Sequence, residues 1–286
     1  MILTNSLFTK FTELIYKKTG LYYGLNKRYY VEKRIENRVI ELGLEDYKEY
    51  YQLIKFSEDE KEFYKLVNDL TINETYFFRD FPQLQNFAEN VLPLIIREKE
   101  KRGDYNLNIW SAACSRGDEP YTLSIILNEM IDEPEKWHIN IMATDINDEV
   151  IAYAKKGLYD RRSVKDVPPE YLEKYFQKRD DKYFVNSVIR KPLQFKRLNF
   201  FDLNEMKKMT NYDVIFCRNA LIYFDDVSRK KVIDSFYYSL NEGGYIFLGH
   251  SESIARVSSD FKAKRVGNVI VYWKPYKEEL LYKKFV

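Results

Sequence analysis

The chain has 286 residues, 45% apolar, 31% charged and 16% aromatic, too apolar for a disordered protein and long enough, at roughly 150 residues per domain, for two units. Its 46 Lys and Arg against 44 Asp and Glu leave a formal charge of +2, which argues against a protein that grips nucleic acid by bulk charge. Two scattered cysteines and two histidines argue against a disulfide framework and a zinc site, and no leader-like start or membrane-length apolar run is visible. The expectation is a cytoplasmic, monomeric protein without metal or membrane insertion.

Residues 1–80 read as a helical N-terminal domain. Val31, Ile35, Val39 and Leu42 recur at helical spacing, as do Phe63, Leu66, Val67 and Leu70. Phe81-Pro82 interrupts the pattern, and 84–100 reads as one more helix, so that 81–104 forms a linker. From 105 to 286 short apolar strands alternate with helices, the mark of a mainly parallel sheet covered on both faces. Strands are predicted over 107–111, 138–144, 195–198, 213–217, 244–248 and 269–273, and helices over 119–130, 148–156 and 227–240. The stretch 160–194 breaks that rhythm. Its Pro168-Pro169, the helix-like 170–177 and the alternating 182–185 predict an inserted antiparallel β-subdomain.

In such sheets the ligand lies beyond the carboxyl ends of the strands. The first strand runs into a loop of small residues, Ser111 to Gly117, and Pro120 suits the first turn of the next helix. Small residues serve either close approach of a ligand or strand–helix packing. There is no GxGxxG and no GxxxxGK[ST], so pyrophosphate and phosphate-loop ligands are disfavoured. Glu119 in the loop would instead welcome a cation or an amine. Asp145, ending the second strand, suits ribose hydroxyls, or alternatively caps the helix near 148. Asn199-Phe200 and Arg218-Asn219 end two further strands, and Phe200 could lie on an adenine ring. Acids, ribose contacts and no phosphate grip point to S-adenosyl-L-methionine and a class I methyltransferase fold.

Five blocks sharpen this: 73–80 (NETYFFRD), 110–121 (WSAACSRGDEPY), 143–146 (ATDI), 216–224 (FCRNALIYF) and 249–253 (GHSES). In that order they resemble the CheR-type chemotaxis receptor methyltransferases, from about Thr19 to Trp273. The resemblance implies a Rossmann-like α/β methyltransferase domain behind an all-α N-terminal domain, with a small antiparallel β-subdomain. It implies that Asn73, Thr75 and Arg79 contact the cofactor, that Glu119 takes its amino acid part and Asp145 its ribose. Asn199 and Phe200 would flank the adenine, Arg218 and Asn219 would close the pocket, and Tyr223 would stand beside the reacting methyl group. The implied reaction esterifies glutamate side chains of chemoreceptors and leaves S-adenosyl-L-homocysteine. Arg79 and Tyr223 are the candidate catalytic pair. Cys114 and Cys217 read as small packing residues.

Lys27, Arg34 and Arg38 fall within about 40° on a helical wheel beside the apolar stripe. They fit either a solvated flank or an electrostatic guide to the acidic helical bundle of a chemoreceptor. Family members that bind a receptor C-terminal peptide use a glycine-containing loop of the β-subdomain. The corresponding 176–184 has no glycine, which predicts a peptide-independent member. The alternative reading is a cofactor-binding adapter that does not methylate receptors. A nucleic-acid methyltransferase would want a basic surface or a [DN]PP[YF] motif, and the fourth strand ends otherwise.

Overall fold

The computed structural model of the chain describes residues 2–254, 258, 260–267 and 269–277. The end of the expected methyltransferase half, 278–286, lies outside the described residues. Four helices come first: α1 (Asn5–Thr19), α2 (Arg28–Glu41), α3 (Tyr47–Phe56) and α4 (Lys61–Leu70). Thr4 caps α1 by accepting the Leu7 N–H, and Gly20, at φ +74°, ends it in the left-handed region. The stripe of α2 is buried at Val31, Ile35 and Val39, whereas Leu42 falls beyond the helix and is exposed. Phe11, Tyr50, Phe63 and Leu66 fill the space between the helices, in one apolar core with Trp110, Ile215 and Phe236 of the second half.

The predicted helix 84–100 is longer and is interrupted by a π-turn. It comprises α5 (Phe81–Asn86), a π-turn at Phe87–Val91, and α6 (Leu92–Lys101). Pro93 has no N–H to offer the turn before it, and the widened turn absorbs that loss. Phe87, which opens the π-turn, lies edge-on against Phe216 and Phe247, with ring centroids 5.1 and 5.7 Å away.

The main sheet contains β1 (Asn106–Ala112), then α7 (Asp118–Met130), β2 (His138–Asp145) and α8 (Asp148–Lys156). An insertion follows: β3 (Leu158–Asp160), α9 (Pro169–Tyr175), β4 (Phe176–Arg179), β5 (Lys182–Val185) and α10 (Ser187–Arg190). The chain returns through β6 (Leu193–Arg197), α11 (Leu203–Met206), β7 (Tyr212–Cys217), α12 (Asp226–Ser239) and β8 (Leu240–Leu248). It closes with β9 (Lys262–Val266) and β10 (Val269–Trp273). The seven strands lie in the order β6-β2-β1-β7-β8-β10-β9; the first five are parallel, and β10 runs antiparallel to both its neighbours, β8 and β9. This is the class I methyltransferase sheet.

The inserted sheet has the order β3-β5-β4 and is antiparallel throughout. Strand β3 opens it at Leu158, two residues ahead of the expected insertion. The helix predicted over 170–177 ends at Tyr175. Phe176 starts a strand instead, its ring packed edge-on against Phe77 at 5.0 Å. A two-residue turn, Asp180-Asp181, joins β4 to β5.

Candidate active site

The loop between β1 and α7 is wound tightly. Ala113 (φ +64°), Ser115 (φ +48°) and Gly117 (φ +92°) all sit in the left-handed region. Non-glycine residues persist there only where neighbours over-determine them. The Cys114 N–H donates to the Thr144 carbonyl (2.9 Å), and the Ser115 N–H donates to Asp145 Oδ2 (2.9 Å). A Cβ on Gly117 would stand 2.8 Å from Ala154 Cβ and 2.9 Å from the Tyr159 hydroxyl. The small residues of this loop therefore serve both packing and access.

Asp145 also accepts the Asn147 N–H at Oδ1 (3.0 Å). The cap of α8 is Asn147, whose side chain accepts the N–H groups of Glu149 and Val150. That frees Asp145 from the capping alternative. Burial lifts its carboxyl above the ordinary value, with backbone N–H groups, Asn147 first, opposing.

Glu119, in the first turn of α7, accepts the Ser111 hydroxyl at 2.7 Å and pairs with Arg218 at 3.1 Å. Its carboxyl is raised by burial and held back by Arg218. Arg218 is buried, reaches Asp80 at 2.7 Å, and donates to the Arg79 carbonyl at 2.6 Å. Its Nε has no partner among the described residues. The guanidinium thereby joins α7, β7 and the segment that enters α5.

That segment, 71–80, crosses the carboxyl end of the sheet and brings Asn73, Thr75 and Arg79 into the same cavity. Asn73 donates to Thr71 Oγ1 (3.1 Å), and Arg79 donates to the Glu74 carbonyl (2.7 Å). Asn219 and Tyr223 line the cavity from the loop after β7, and Tyr223 is half-buried. Asn199 and Phe200 line it from the loop after β6. The Asn199 amide is engaged elsewhere, donating to the Lys18 carbonyl (2.8 Å) and accepting the Phe201 N–H (3.0 Å). Phe200 stands edge-on to Trp110 and Phe236.

Sequence reasoning missed one wall. Leu21 and Tyr23, beyond α1, line the cavity. Leu21 bridges to Phe224, and the Tyr22 N–H donates to the Tyr223 carbonyl at 2.8 Å. Gly20-Leu21-Tyr22-Tyr23-Gly24 marks a turn in the sequence but carries no hint of its distant partner.

Neither histidine lines the cavity. Burial pushes the Cys114 and Cys217 thiols well up, so both stay protonated packing groups.

The three basic residues expected at a receptor surface separate. Arg38 is buried and paired with Glu62 (2.8 Å) and Glu41, so its charge is spent inside the helical half. The Arg34 guanidinium lies 3.7 Å over the Tyr30 ring. Lys27 sits in the short 3₁₀ turn before α2, its ammonium 5.6 Å from the Tyr223 ring centroid and without an ion pair among the described residues.

Buried acids, a wall of small residues and no phosphate-binding loop suit a cationic nucleoside, and the comparisons agree. The chain matches the family model for the CheR methyltransferase, SAM binding domain over residues 73–283, and that for its all-alpha domain over 6–71. Chemotaxis protein methyltransferase 2 of Vibrio cholerae is 40% identical over 97% of this chain and 96% of its own length. Chemotaxis protein methyltransferase 1 of Pseudomonas aeruginosa is 32% identical, covering 95% of this chain and 99% of its own. The Escherichia coli chemotaxis protein methyltransferase is 30% identical, covering 91% and 89%. The chain belongs to the CheR methyltransferase family and is an S-adenosyl-L-methionine-dependent methyltransferase.

Proposed function

We propose that this enzyme methylates glutamate side chains on the cytoplasmic helical bundle of chemoreceptors, forming γ-glutamyl methyl esters, and that it works as a cytoplasmic monomer. The observation that carries this reading is the meeting of Glu119, Asp145, Arg79 and Tyr223 on one cavity that no histidine lines. When bound, S-adenosyl-L-methionine supplies an electrophilic methyl group on a sulfonium. Glu119 would face its amino acid part and Asp145 its ribose. Asn73, Thr75, Phe200 and Asn219 would shape the remaining walls, with Asn199 acting through the loop it pins to α1.

A glutamate carboxyl, with a reference pKa near ~4.3, is already anionic at neutral pH, so no general base is needed. The protein's task is alignment, a device able to supply roughly 7–11 kcal/mol. Charge is neutralised as carboxylate meets sulfonium, so a tight grip on the carboxylate would slow the reaction. Arg79 and Tyr223 orient it, and Lys27, 5.6 Å from the Tyr223 ring centroid, attracts it. Lys27 and Arg34 replace the expected trio as the receptor-facing charges. The glycine-free two-residue hairpin between β4 and β5 supports peptide-independent receptor recognition.

The test incubates purified protein with methyl-labelled cofactor and membranes holding an unmethylated chemoreceptor. Base-labile label should form, and Arg79→Ala should lose most of it. Cofactor binding without any label would favour the adapter reading.

A further inference from the structure

Strands β7 and β8 run side by side, with Cys217 paired to Leu248, so the loops leaving their carboxyl ends face each other. The first, 218–224, carries Arg218, Asn219 and Tyr223 to the cavity. The second holds Glu252, which does not itself line the cavity. Its Oε2 accepts the Gly249 N–H (2.7 Å) and the Asn219 N–H (2.9 Å), and its Oε1 accepts the Ile222 N–H (3.3 Å). One carboxylate thus collects three backbone donors, and a charged acceptor makes each bond stronger than a neutral one would.

The clasp closes on a sharp turn. Asn219 has φ +60°, in the left-handed region that asparagine enters more readily than other residues with a side chain. A Cβ on Gly249 would stand 2.7 Å from Glu252 Oε2 and 2.9 Å from the Asn219 nitrogen, so a glycine is what lets the carboxylate close on the loop. Ile254, fully buried two residues on, anchors the segment behind Glu252.

We infer that Glu252 is a positioning residue for methyl transfer, clasping the Asn219–Ile222 backbone so that Tyr223 is held beside the reacting atoms. The inference rests on the role given to Tyr223 above. Glu252 touches neither substrate nor cofactor and acts only through the loop.

The test uses the full-length protein with the same labelled cofactor and receptor membranes. The variants are Glu252→Gln, Glu252→Ala, Tyr223→Phe and the double variant Glu252→Ala/Tyr223→Phe. Glutamine keeps one acceptor oxygen and turns the other into a donor, so Glu252→Gln should lose part of the clasp without unfolding. Glu252→Ala should lower kcat about 10–100-fold, with Glu252→Gln between it and wild type, while S-adenosyl-L-homocysteine affinity by calorimetry stays within about threefold. In the Tyr223→Phe background, Glu252→Ala should cost less than about threefold more, because residues acting as a unit are not additive.

Losses that multiply in the double variant would overturn the inference. So would wild-type kcat in Glu252→Gln, or cofactor affinity falling in step with kcat. If Glu252→Ala does not fold, the same cycle with Glu252→Gln decides. Wild-type protein that forms no base-labile label, or Tyr223→Phe with full turnover, would instead overturn the functional reading and this inference with it.

Discussion

Arg218 is the sharpest point at which to press on this structure. Its side chain is only 4% exposed and pairs with two carboxylates, Asp80 at 2.7 Å and Glu119 at 3.1 Å, of which Glu119 is 14% exposed. Arg218→Met keeps the bulk and deletes the charge, stranding Glu119 in the interior. Removing one partner of a buried ion pair costs about 3–5 kcal/mol. At about 2.1 cal/mol/K per residue, the unfolding entropy of this chain is about 0.6 kcal/mol/K, so the melting temperature should fall by about 5–8 °C. The effect should depend on pH. Glu119 already has a raised carboxyl, and loss of Arg218 raises it further. An acid with its folded pKa raised above the unfolded one binds more protons when folded, so its contribution to stability falls as pH rises. The gap between variant and wild type should therefore be wide at about pH 8 and narrow as pH falls, because a protonated Glu119 needs no partner. Thermal unfolding by circular dichroism as a function of pH measures this, and Arg218→Met/Glu119→Gln should recover much of the loss. A melting point within about 1 °C of wild type at about pH 8, or a gap that ignores pH, would refute the reasoning.

Asp145→Asn should weaken S-adenosyl-L-homocysteine binding about 10–100-fold by calorimetry, since the amide cannot accept at both oxygens. Lys27→Glu should slow receptor methylation at low ionic strength, with recovery of the difference in salt and unchanged cofactor affinity. Arg38→Ala should instead cost about 3 kcal/mol in urea unfolding, because Glu62 loses its buried partner, and leave the salt dependence of methylation alone. The kcat/KM for receptor should be flat from about pH 6 to 9, because the substrate is ionised throughout. Burial raises Tyr223, so it stays neutral across this range. Cofactor affinity should fall first on the acid side, because Glu119 and Asp145 have raised carboxyls and lose charge as pH drops. A bell centred near pH 6.5 would point to an essential histidine, which this cavity lacks.

The parts of the fold legible in sequence were those with a local signal. Strands β1, β2 and β7 announced themselves because central parallel strands are buried on both faces and read as apolar runs. Strand β9 did not, because Lys262-Ala263-Lys264-Arg265 forms the sheet edge, where charge is tolerated and even useful. Arg38 departs from the receptor-facing expectation for a comparable reason. A helical wheel sets it beside the apolar stripe, but its burial is decided by Glu62, on another helix, and Lys27 lies outside the helix the wheel assumes. Glu119, Asp145, Asn199, Phe200, Arg218 and Asn219 are legible because they follow strand ends, whereas Asn73, Thr75 and Arg79 are legible only through the block that carries them. The roles of Leu21, Tyr23 and Glu252 are not legible, even though Glu252 falls within the 249–253 block, since what they contribute is set by backbone groups far along the chain.

The pairing of Leu21 with Phe224 has an evolutionary corollary. A helical half that donates lining to the proposed cofactor chamber cannot be exchanged like a detachable module. Any recombination that swapped it for an unrelated bundle would leave the chamber open on one side. The two halves are therefore bound to diversify together, and a clone trimmed to the sheet alone should bind product poorly even if it folds.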